Sequence, residues 1–240
     1  MTSTSPGSTI ERLAASLLPP GADGTFAEEL TGWLAGSARF RAFAEANEGK
    51  IRKKLRGVRD DGSLGDVRAE LQSAHLLLAD RRIELAYEAY GSGNAGPDFT
   101  VTYRATKTFN VEVTRLRRVP DPAALGQTIL AKLRQLPPSV PNILLIATGA
   151  ASAGTVDVAT AARLLRAKAE SRDDQFFTGH GLSGTRGFND RYLRLGAVIW
   201  WSEGATSSAD RAAIWTNPSA RVAIDARASE ACLRCLRVVD

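Results

Sequence analysis

From Thr9 to about Gly57 apolar residues recur at three- and four-residue spacing, as in Phe26, Leu30, Trp33 and Leu34 and then Phe40, Phe43 and Ala44. That period predicts amphipathic helices, and Pro19-Pro20-Gly21 separates the first from the next. Asp60-Asp61-Gly62-Ser63 reads as a turn with Ser63 as a helix cap. It opens a helix over residues 64–80 whose inward face is Leu64, Val67, Leu71, Ala74 and Leu78. The period then shortens to two, which predicts strands over 83–90, 98–105 and 108–116, the last two joined by a tight link around Thr106-Lys107.

A helix follows Pro120-Asp121-Pro122 and stops at Pro137-Pro138. Asn142 to Thr148, reading NILLIAT, is the kind of short apolar run expected of a strand buried on both faces. Further on the pattern gives a helix over 156–171 and a glycine-punctuated loop over 179–187. Strands over 197–202 and 213–216 and a closing helix over 229–237 complete it. Alternation on the 197–202 strand puts one of Trp200 and Trp201 in the core and leaves the other exposed or at an interface. The expected organisation is a loose tail (1–8), a helical segment (9–59), an α/β core (60–150) and a C-terminal extension packed on it (151–240).

The chain has 240 residues, 44% hydrophobic and 24% charged, enough to bury a real core. No apolar run approaches the roughly 18–20 residues that cross a bilayer, and the first residues lack a charged-then-apolar leader, so a cytoplasmic protein is expected. The net charge of +5 is concentrated: residues 39–59 hold eight basic and two acidic side chains. Lys50, Arg52, Lys53, Lys54 and Arg56 in that stretch suit phosphate contacts, each strengthened by counterion release. Cys232 and Cys235 form a lone C-x-x-C with no second pair at zinc-finger spacing, and read as two reduced thiols one helical turn apart.

Three acids carry the candidate chemistry. Glu70 lies at the margin of the inward face of the 64–80 helix. Asp98 opens a strand directly after Pro97, and Glu112 stands between Val111 and Val113 on its hairpin neighbour. Carboxylates gathered in this way hold a hard divalent cation, commonly Mg²⁺ or Mn²⁺, which activates water for attack on a phosphodiester.

Glu70, Pro97-Asp98 and Glu112-Val113-Thr114, in the order helix, three strands, helix, strand, resemble the PD-(D/E)xK nuclease superfamily over roughly residues 60–150. The resemblance implies a restriction endonuclease-like α/β core and a metal-dependent DNA endonuclease or related phosphodiesterase. It implies metal ligands at Glu70, Asp98 and Glu112, and DNA as partner. The family's lysine, which steadies the attacking water, is replaced by Thr114. Lys107 or Lys132 supplies the missing charge, or the metal suffices, or catalysis is lost and the chain is a nucleic-acid-binding or assembly module, as a homodimer or with a partner protein. In the family the helix after the motif often adds a polar side chain to the site, here Lys132 or Gln135.

Overall fold

The computed structural model describes residues 9–91, 96–118, 121–149, 156–202 and 211–237. The expected 1–8 tail lies outside them. Contacts divide the chain into two compact units, residues 1–79 and 80–240.

The first unit is helical: α1 (Thr9–Leu17), α2 (Gly24–Gly36), α3 (Ala38–Ala46), α4 (Glu48–Arg56) and α5 (Asp61–Leu77). Short polar residues set the boundaries. Asp23 caps α2 by accepting from the Phe26 amide at 2.9 Å, and Ser37 ends α2 while its hydroxyl accepts from the Phe40 amide to begin α3. At α5 the cap is Asp60, three residues earlier than expected. Its carboxylate takes the Ser63 amide at 2.7 Å, and the Ser63 hydroxyl accepts from the Asp60 amide, a reciprocal capping box. Leu17, Leu30, Leu34, Phe40, Ile51, Leu55 and Leu71 form the buried faces. Helix α5, grouped by sequence with the strands, therefore belongs to the helical unit.

The second unit is built on one six-stranded mixed sheet in the order β1 to β6: Ile83–Tyr87, Phe99–Tyr103, Lys107–Leu116, Asn142–Thr148, Leu195–Ser202 and Ala212–Thr216. β1, β2 and β3 form an antiparallel meander. β3, β4 and β5 run parallel, and β6 returns antiparallel. The segment expected as an extension thus completes the same sheet. The β2–β3 link turns at Arg104 and Ala105, both with positive φ (50° and 56°), a conformation normally given to Gly or Asn. Neither residue type stands there, so the turn falls two residues earlier than the sequence predicts.

Parallel strands need crossovers, and α6 (Pro122–Leu133) and α7 (Val158–Glu170) supply them, with α8 (Asp174–Gly179) and α9 (Gly184–Tyr192) following. Leu125, Ile129 and Leu133 of α6 and Ala161 and Leu165 of α7 pack with Leu144, Ile146, Val198 and Trp200 on one sheet face. Every residue of β4 and β5 is buried, and Trp200 and Trp201 are both interior. The expected exposed tryptophan is not found, because a central parallel strand is covered on both faces. The 179–187 stretch is two short helices meeting at a turn rather than one loop. Gly181 and Gly184 take positive φ there, and an added Cβ would fall 2.9 Å from Arg134 Nη1 and 2.8 Å from Asp174 Oδ1. Helix α10 (Ala226–Arg237) packs on β5 and β6 and buries both free cysteines. Among the described residues no helix is long and apolar enough to cross a membrane.

Candidate active site

Register fixes where the strand residues stand. Glu112 pairs with Leu144 and Thr114 with Ile146, on the face that α6 covers. Glu112 is only 2% exposed. Its Oε1 accepts from Lys132 Nζ, reaching in from the penultimate residue of α6, at 2.7 Å. A buried carboxylate needs such a partner, since desolvation of an isolated charge is costly. Thr114 is on the same face as Glu112, one strand repeat further on and half-buried.

Asp98 sits where the β2–β3 ladder ends. The last paired residues are Phe99 and Val111, and one step beyond them Asp98 faces Glu112. The chain has left the ladder there, and the Asp98 side chain replaces it: Oδ2 accepts from the Val113 amide at 2.8 Å. The Asp98 carbonyl meanwhile accepts from the Glu88 amide at 2.8 Å. One acid is therefore fixed at the mouth of the fork between two strands and the other on the floor beside it.

The remaining residues stand elsewhere. Lys107 begins β3, five residues from Glu112 or about 17 Å along the strand, and alternation gives it the opposite face. It lies 3.8 Å from Asp225, so it is not the lysine that serves Glu112. Glu70, 8% exposed, belongs to the first unit, where Lys54 Nζ donates to both of its oxygens at 2.7 and 2.8 Å. Lys54, expected on DNA phosphate, is engaged by Glu70, and Arg52 pairs with Glu48 one turn earlier at 3.3 Å. Arg39 and Arg41 donate to the carbonyls of Leu78 and Leu34. Of the cationic stretch, Lys53 and Arg56 are exposed and Lys50 is half-buried. Gln135 lies in the turn after α6, with its Oε1 buried and without a hydrogen bond among the described residues.

Among the described residues no three His, Cys, Asp or Glu side chains are grouped to hold a metal ion. Within the second unit the candidate carboxylates are Asp98 and Glu112, neighbours by strand register. Two carboxylates fit Mg²⁺, which keeps several waters and takes further oxygens from substrate phosphate.

Sequence reasoning missed two polar features. Asn110 and Asn142 pair across β3 and β4 at 3.0 Å, and Asn142 Nδ2 also donates to the carbonyls of Pro137, Val140 and Arg194. At the other end of the sheet, Ser202 and Arg211 are buried. Neither carries a spacing signal, because a single polar residue at a strand end looks like any loop boundary. No known protein family, curated protein or solved structure matches the chain.

Proposed function

We propose that the second unit carries a metal-dependent phosphodiesterase site of the PD-(D/E)xK type that acts on DNA, with Lys132 in the role of the lysine missing at position 114. The observation that carries this reading is the 2.7 Å contact of Lys132 Nζ with Glu112 Oε1. It puts an ammonium beside the acid of the β3 motif, although the residue two places on is Thr. The element order α5, β1, β2, β3, α6, β4 supports the same reading and a restriction endonuclease-like core.

Asp98 and Glu112 would hold the ion. When bound, it supplies an activated water and offsets charge on the phosphodiester under attack. Lys132, one-quarter exposed, stands at the boundary between core and solvent. From there its ammonium can donate to a water or a phosphate oxygen while neutralising Glu112. The Thr114 hydroxyl, on the same face, orients a water without adding charge. Lys53 and Arg56 offer sequence-independent phosphate contacts.

The test is cleavage of supercoiled plasmid with Mg²⁺ or Mn²⁺ by the whole chain and by Asp98→Asn, Glu112→Gln and Lys132→Met. Divalent-dependent nicking that disappears in all three folded variants is expected. Full activity in those variants or in excess chelator would overturn the proposal. A second reading, a nucleic-acid-binding module without catalysis, is favoured by Thr114 and by the ion pair that already neutralises Glu112. Salt-sensitive DNA binding with no cleavage under any divalent ion would select it.

A further inference from the structure

The parallel register that places Glu112 also builds a row of residues at the carboxyl ends of the strands. Leu116 of β3 pairs with Thr148 of β4, and Thr148 with Ser202, the last residue of β5. On the far side, Trp201 pairs with Ala212, the first residue of β6, so Arg211 immediately before it comes next to Ser202. Alternation puts Ser202 on the face of Val198 and Trp200, the face that α6 and α7 cover.

Arg211 is 7% exposed, and its Nε is buried without a hydrogen bond; among the described residues no carboxylate pairs with it. Ser202 is 3% exposed, and its Oγ is likewise buried without a partner among the described residues. Neighbouring Thr148 is satisfied, donating to the Trp201 carbonyl at 3.1 Å. Buried polar groups are nearly always paired, so two unmet polar atoms at neighbouring register positions, Arg211 Nε and Ser202 Oγ, call for a missing acceptor. Their place matters too. In open α/β sheets ligands bind beyond the carboxyl ends of the parallel strands.

We infer that Arg211 and Ser202 form an anion site for a phosphate group at the carboxyl ends of β4 and β5. The guanidinium fork matches two oxygens of a carboxylate or a phosphate. A carboxylate held by the fork can still accept from the Ser202 hydroxyl, but a phosphate also brings oxygens beyond the two on the fork, one of which can face Ser202 on its own. The site uses none of Asp98, Glu112 and Lys132 and stands apart from the nuclease reading. Its row is four residues beyond Glu112 along β3, about 13 Å.

The experiment is calorimetric titration of the full chain with inorganic phosphate, a nucleoside monophosphate and a duplex oligonucleotide, against chloride at equal ionic strength. Wild type, Arg211→Met and Ser202→Ala are compared, each with its melting temperature. Saturable binding is expected in wild type, weakened on the order of tenfold or more in Arg211→Met and several-fold in Ser202→Ala. Without ligand, Arg211→Met should melt at or above wild type, because a buried methionine needs no partner. Tighter binding of the monophosphate assigns a terminal phosphate, and tighter binding of the duplex assigns a backbone phosphodiester. The inference is overturned if wild type binds none of the three, or if the variants bind as tightly as wild type. Should Arg211→Met fail to fold, wild type and Ser202→Ala decide alone.

Discussion

Lys132 and Glu112 meet at 2.7 Å although twenty residues separate them, the acid on a central strand and the ammonium on the crossover helix that follows. The pair is lopsided. Glu112 is 2% exposed on its side chain and Lys132 25%, so the carboxylate depends on the lysine more than the lysine depends on it. Lys132→Met should destabilise the fold by about 3–5 kcal/mol, the cost of leaving a buried charge without its partner. Adding Glu112→Gln should restore much of that stability, and urea denaturation of both variants measures it. Cleavage should be lost in Lys132→Met at a temperature where that variant is still fully folded, which separates the chemical part of Lys132 from its structural one.

Neutralising basic residues of the helical unit should split into two behaviours. Lys53→Ala and Arg56→Ala remove exposed charges and should weaken DNA binding with little change in stability. Removing one lysine or arginine from a phosphate should make the slope of log affinity against log salt shallower by about 0.9. Lys54→Ala removes the counterion that bridges both oxygens of Glu70 and should lower the melting temperature. Fluorescence anisotropy across a salt series, beside thermal denaturation, distinguishes the two groups.

Arg82 grips Asp80 through a bidentate pair, Nε to Oδ1 at 2.9 Å and Nη2 to Oδ2. The hydrogen-bonded guanidinium holds the Asp80 carboxyl down to about 2, below its ordinary 3.8. A depressed acid contributes stability above its unfolded pKa and loses it as pH falls through the folded value. The contribution is therefore present at neutral pH and disappears between about pH 4 and pH 2. With Arg82 partly open to solvent, it is on the order of 1 kcal/mol. Asp80→Asn should flatten that part of the stability-against-pH curve and lower the plateau above it.

Cys232 and Cys235 should resist thiol reagents in the folded chain. Burial in α10 pushes the Cys235 thiol up to about 11 and raises Cys232 further, so neither is a thiolate at neutral pH. A colorimetric thiol assay should find both only after unfolding. Rapid native labelling of either would contradict the buried placement.

Features with a local cause are legible in the sequence. NILLIAT can be read to the residue because a two-face-buried strand between Pro141 and Gly149 has little else it can be. The breaks at Pro19-Pro20 and Pro122 likewise follow from the chemistry of proline. What escapes is decided by tertiary neighbours. Glu70 and Glu112 look alike in sequence, each an acid within an apolar pattern, and only the fold shows one held by Lys54 and the other by Lys132. Lys107 and Lys132 are equal candidates in the sequence, and strand alternation gives Lys107 the wrong face. The α8–α9 segment reads as loop because glycines ordinarily break helices, whereas Gly181 and Gly184 mark the turn between two of them.

Asp98 serves as a piece of backbone as well as an acid. Its carboxylate accepts the amide hydrogen of Val113 that a further residue of β2 would otherwise have taken. A carboxamide oxygen still accepts that hydrogen, though more weakly than a carboxylate, and a methyl group does not. Alanine at this position therefore removes a charge and leaves a strand amide unmet, whereas asparagine removes the charge and keeps an acceptor. The difference between the two substitutions measures how far the seam between β2 and β3 is held shut by its own acid.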